Sequence, residues 1–70
     1  MKESERKWFL SLSEEMKLTL LGDMLKEGNA VMALETAKIL LDAPIHEGGI
    51  STGKITKVFD DNRNEKTKQR

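Results

Sequence analysis

The sequence predicts a small all-α domain, and three observations carry that prediction. Residues 13–41 contain two segments whose apolar side chains recur at three- and four-residue spacing. Gly28-Asn29 stands between them, a pairing suited to ending one helix and capping the next. No pair of alternating apolar and polar runs offers strands to one another. The expected architecture is a small helical bundle: an antiparallel helix hairpin (about 14–27 and 30–43), a short N-terminal helix, a weak third helix (about 52–62) and a disordered C-terminal tail. Residues 1–62 then form a single domain, and residues 63–70 a flexible charged tail.

Each element has its own local reason. At the N-terminus Ser4 is a candidate cap, with acidic Glu5 in the first turn where the helix dipole favours it. Trp8 and Phe9 follow; Phe59 is the only other aromatic residue. Trp8 either plugs the open end of the hairpin or anchors an interface, the role in which Trp is enriched. Ser11-Leu12-Ser13-Glu14 reads as a capping box, with Ser13 as a second candidate cap. In the first hairpin helix, Leu18, Leu21 and Leu25 follow an i, i+3, i+7 pattern, while Met16, Leu20 and Met24 follow i, i+4, i+8. The combined stripe is wider than one facing helix covers. The second helix has Ala30, Ala33, Leu34, Ala37, Leu40 and Leu41 as its stripe, its alanines allowing close approach, while Val31 and Met32 fall off that face. Pro44 ends the helix because the residue before a proline is pushed out of the α region. Residues 45–52 read as a glycine-containing loop. Ile55, Val58 and Phe59 then share one helical face, and no aliphatic or aromatic side chain follows Asp60.

Composition excludes several function classes. Seventy residues without cysteine carry no disulfide and no thiolate metal site. One histidine is too few for a zinc site unless carboxylates or a second chain supply the other ligands. The net charge is zero, but residues 1–42 carry −2 and residues 43–70 carry +2. That balance argues against whole-chain attraction to nucleic acid or to an anionic membrane. No secretory signal or membrane span is legible, so a soluble, cytoplasmic protein is expected.

The chemical motifs do not hold. Gly48-Gly49-Ile50-Ser51-Thr52-Gly53-Lys54 fits the front of a phosphate-binding loop, but Ile55 stands where a magnesium-ligating hydroxyl is needed, and no strand precedes it. His46-Glu47 lacks the pocket a general acid or base requires. Glu14-Glu15 and Asp60-Asp61 are helix-end charges. Neither an enzyme, nor a cofactor, nor a metal, nor a small-molecule substrate is expected.

Two resemblances remain. Leu21-Gly22, Gly28-Asn29, Ala33, Ala37 and Pro44 resemble the small and turn positions of one tetratricopeptide unit across residues 18–44. The bulky aromatics of that pattern are absent and there is no second copy, so helical-hairpin packing accounts for the likeness and no family follows. Gly49, Ile55 and Val58 resemble the turn glycine and buried positions of a helix-turn-helix, although Pro44 and Gly48 would fall within its first helix.

The reading is therefore a non-enzymatic helical protein-binding module acting as adaptor, modulator or inhibitor, with another protein or a second copy of itself as partner. Trp8, Phe9, Met16, Met24 and Met32 are its candidate interface residues, methionine being suited to adaptable contacts. The alternative is a DNA-binding regulator using Thr52, Lys54, Thr56, Lys57, Arg63, Lys66, Lys68 and Arg70.

Overall fold

A computed structural model describes the backbone of residues 2–68 and the side chains of residues 2–62. Among the described residues it contains four α-helices and no strand: α1 (Glu3–Leu10), α2 (Glu14–Lys26), α3 (Ala30–Asp42) and α4 (Thr52–Lys68), with a 3₁₀ turn at Ile45–Glu47. The small all-α fold expected from the periodicity is the fold observed.

The caps differ in detail from expectation. Helix α1 begins after Lys2, not at Ser4, which lies inside it. The Lys2 backbone N–H donates to the Glu5 carboxylate at 3.1 Å, so Glu5 reaches back as the third helical residue of a capping box does. Ser13 is the cap of α2, its Oγ accepting the Met16 N–H at 3.2 Å. Ser11 instead donates its hydroxyl to the Trp8 carbonyl at 2.6 Å, satisfying an end group of α1.

The hairpin turn is a Schellman closure. Gly28 sits in the left-handed region at φ 79°, its N–H donates to Leu25 O, and the Asn29 N–H donates to Met24 O. Asn29 then starts α3 with its Oδ1 accepting the Met32 N–H at 3.3 Å. One dipeptide thus satisfies orphan groups of both helices and forces the reversal.

Helix α2 is the central element, with α3 and α4 packed against it. Leu21 is fully buried there, and Phe9, Ala33, Ala37, Leu40, Ile50 and Ile55 complete the core around it. The α4 face of Ile55, Val58 and Phe59 covers the part of the α2 stripe that α3 leaves open.

The buried face of α3 departs from the stripe read off the sequence. Ala33, Thr36, Ala37 and Leu40 are buried, whereas Ala30, Leu34 and Leu41 are exposed. The face is rotated toward Thr36, whose Oγ1 donates to Met24 Sδ at 3.4 Å and so enters the core already partnered. The Leu34–Leu41 flank lies outside the core.

Residues 45–51 are tied down by hydrogen bonds and by burial of Gly49 and Ile50, and so are not a free linker. Gly48 has φ 104°, and a Cβ there would collide with the Leu10 carbonyl; one at Gly49 would collide with the Ala43 carbonyl. Ile50 is buried and its N–H donates to Leu40 O at 3.0 Å, satisfying a C-terminal carbonyl of α3. Helix α4 runs on to Lys68, beyond the expected end near residue 62. On its described part, Lys57 and Asp61 form an i, i+4 pair at 3.8 Å.

Candidate protein-docking groove

Helices α1, α2 and α3 enclose an apolar groove with Phe9, Leu20 and Met24 at its base, Trp8 and Glu5 on the α1 side, and Met32, Glu35 and Thr36 on the α3 side. The helical period builds it. Phe9 and Trp8 are one residue apart and so point about 100° apart around α1. Phe9 turns into the core, 4% exposed, which leaves Trp8 on the surface, 63% exposed. Leu20 and Met24 lie one turn apart on α2, and Glu35 and Thr36 stand three and four residues after Met32, one turn further along the same side of α3. The bond from Thr36 to Met24 sulfur ties the base to the α3 wall.

Four of the five interface candidates meet in this groove. Phe9 contributes from its buried position, Met24 from the half-buried base, and Trp8 and Met32 from the rim. Met16 lies outside the lining, exposed on α2 one turn before Leu20. Of the two readings of Trp8, the plug is Phe9's part, because Trp8 itself faces solvent.

The electrostatics are one-sided. The groove carries two carboxylates and no lysine or arginine. Glu5 is held by the Lys2 backbone N–H, and Glu35 makes no ion pair among the described residues.

The candidate nucleic-acid residues are differently placed. Thr52, Lys54, Thr56 and Lys57 are exposed along α4, but Lys54 Nζ lies 2.6 Å from Glu14 Oε2 and Lys57 pairs with Asp61. The side chains of Arg63, Lys66, Lys68 and Arg70 lie outside the described residues. Residues 43–51 separate α3 from α4, longer than the three or four residues of a helix-turn-helix turn. His46 is exposed in the 3₁₀ turn, 3.4 Å from Glu47. Among the described residues no group of three or more acidic or histidine side chains could hold a metal ion. No described helix is long and apolar enough to cross a membrane.

The residue that sequence reasoning missed is Lys17. It is 3% exposed on the core side of α2, and its Nζ donates to Leu10 O at 3.0 Å and Gly48 O at 2.6 Å. The ammonium joins the end of α1 to the end of the 3₁₀ turn, two places where carbonyls lack helical partners. Its register was the available signal: Lys17 stands four residues before Leu21, on the apolar face.

No family model, curated protein or solved structure matches the chain.

Proposed function

We propose that this chain is a non-enzymatic, cytoplasmic protein-binding module whose groove between α1 and α3 takes a segment of a partner protein, as an adaptor, modulator or inhibitor does. One observation carries the reading: a tryptophan stands 63% exposed at the mouth of an apolar groove. A large aromatic beside a concave apolar surface is the composition of an interface hot spot. Met24 and Met32 give the walls side chains that adjust to a ligand's shape. The absence of cysteine fits a reducing compartment.

The test is affinity capture from lysate of the native cell with the wild-type chain, with Trp8→Ala and Met32→Asp, and with Ile45→Asp, at an exposed position of the 3₁₀ turn, as a control outside the groove. A partner retained by wild type and control, and lost from both groove variants while their helicity is unchanged, supports the reading. Truncating a hot-spot tryptophan costs about 2 kcal/mol or more, so the loss is expected to reach about 30-fold in affinity. Equal retention by Trp8→Ala and Met32→Asp removes the groove from the function.

A DNA-binding role using α4 draws less support, since both of its described lysines already have acidic neighbours. Such binding would appear at low salt and weaken steeply as salt is added.

A further inference from the structure

The geometry points to a specific class of ligand for the groove: an amphipathic helix whose apolar stripe is flanked on both sides by lysine or arginine. The inference rests on the protein-binding reading above and adds the partner's chemistry. Glu5 stands on the α1 wall and Glu35 on the α3 wall, with the apolar base of Leu20 and Met24 between them. A rod laid along that base turns one flank toward each carboxylate. Opposite charge on the ligand's two flanks complements this frame, and a negative flank is repelled by it.

The ligand's backbone conformation follows from the walls. Among the described residues there is no sheet edge to which an extended peptide could add hydrogen bonds. An extended segment would bring unpaired backbone groups against an apolar surface, whereas a helix satisfies its own. A second copy of this chain is a poor occupant. Its exposed apolar helix face, Val31, Leu34 and Leu41 on α3, includes a single cation, Lys38, within the stripe and none flanking it on both sides.

Trp8 is the only tryptophan, so its emission reports the groove directly. The full chain is titrated with three synthetic peptides: an amphipathic Leu/Lys helix, a Leu/Glu helix with the same leucine register, and a Leu/Lys peptide of the same composition in scrambled order. The Leu/Lys helix is expected to shift Trp8 emission to shorter wavelength, saturably, and to bind about tenfold more tightly than Leu/Glu, the sum expected of two surface charge contacts. The preference falls with added salt and reverses in the Glu5→Lys/Glu35→Lys variant. Equal binding of the Leu/Glu or scrambled peptide overturns the charge-flanked helix while leaving the groove as a docking site. If no peptide moves Trp8 and its emission instead shifts with the chain's own concentration, a second copy fills the groove and this inference falls. If that double variant does not fold, the wild-type comparison of Leu/Lys with Leu/Glu still decides.

Discussion

Lys17 shows how one side chain can matter more than its charge count implies. Its Nζ donates to Gly48 O over 2.6 Å, the same distance that separates Lys54 Nζ from Glu14 Oε2. The two contacts are not equal in stability, because burial differs. Lys54 and Glu14 are 56% and 49% exposed, and such a pair contributes about 0–1 kcal/mol. Lys17 is buried, and its removal leaves the Leu10 and Gly48 carbonyls without that donor. Lys17→Met is therefore expected to lower the free energy of unfolding by about 1–3 kcal/mol. Lys54→Met should stay within about 1 kcal/mol of wild type. Urea denaturation followed by helical circular dichroism measures both, and equal effects would show that the Lys17 junction contributes nothing special. A buried lysine was hard to read from the sequence because charge normally marks the outer face of a helix. Only the packed positions of Leu10 and Gly48, 7 and 31 residues away, explain why it turns inward.

Helices α2 and α4 meet at Gly22, and that contact leaves room for improvement. A Cβ at Gly22 would lie 3.7 Å from Asn62 Nδ2 and 3.8 Å from Val58 Cγ1, ordinary van der Waals distances. Glycine inside a helix costs about 1 kcal/mol relative to alanine. Gly22→Ala is expected to recover most of that and to raise the melting temperature by about 4–8 °C. Gly49→Ala should do the opposite, since its Cβ would strike the Ala43 backbone, which cannot swing aside like a side chain. Thermal melts of the two variants decide between these signs; a stabilised Gly49→Ala would mean that residues 45–51 are looser than described. The same elements show which structure was legible in advance. The hairpin helices, Gly28-Asn29, Pro44 and the Ile55–Val58–Phe59 face follow from local chemistry, and they stand where expected. The course of residues 45–51 does not, because it depends on carbonyls of α1 and α3 that approach only after folding. The rotation of α3 was hidden for a related reason: Thr36 is buried with Met24, 12 residues away in the chain, as its partner, while Leu34 stays exposed. Four groove residues were legible as adaptable or aromatic side chains, but the carboxylates facing across them were not, being far apart in the chain.

At the scale of the molecule, seven buried apolar side chains form one core cluster among the described residues, and α3 carries useful surface on both sides of it. One side faces the groove through Met32 and Glu35. The other presents Val31 at 70%, Leu34 at 56% and Leu41 at 43% exposure, with Lys38 among them. A chain of this size buries only about 60% of its unfolded surface, so self-association would add stability to it. We propose that the homodimer, where it forms, pairs this flank of α3 antiparallel with its copy. Leu34 lies four residues before Lys38 and Leu41 three after, so a two-fold axis near Lys38 sets Leu34 against the partner's Leu41. The two copies of Lys38 then approach each other, and their long stems must splay to keep both ammonium groups in water. Opposite effects are expected from two substitutions. Leu34→Glu replaces an apolar side chain with a carboxylate on each side of the seam and should weaken association. Lys38→Leu removes the repulsion and should tighten association by about tenfold, the equivalent of about 1.4 kcal/mol. Sedimentation velocity across a concentration series reads both, with Trp8 emission as an independent check that the groove stays open. A dimer that survives Leu34→Glu, or one that closes the groove as it forms, would place the contact elsewhere on the surface.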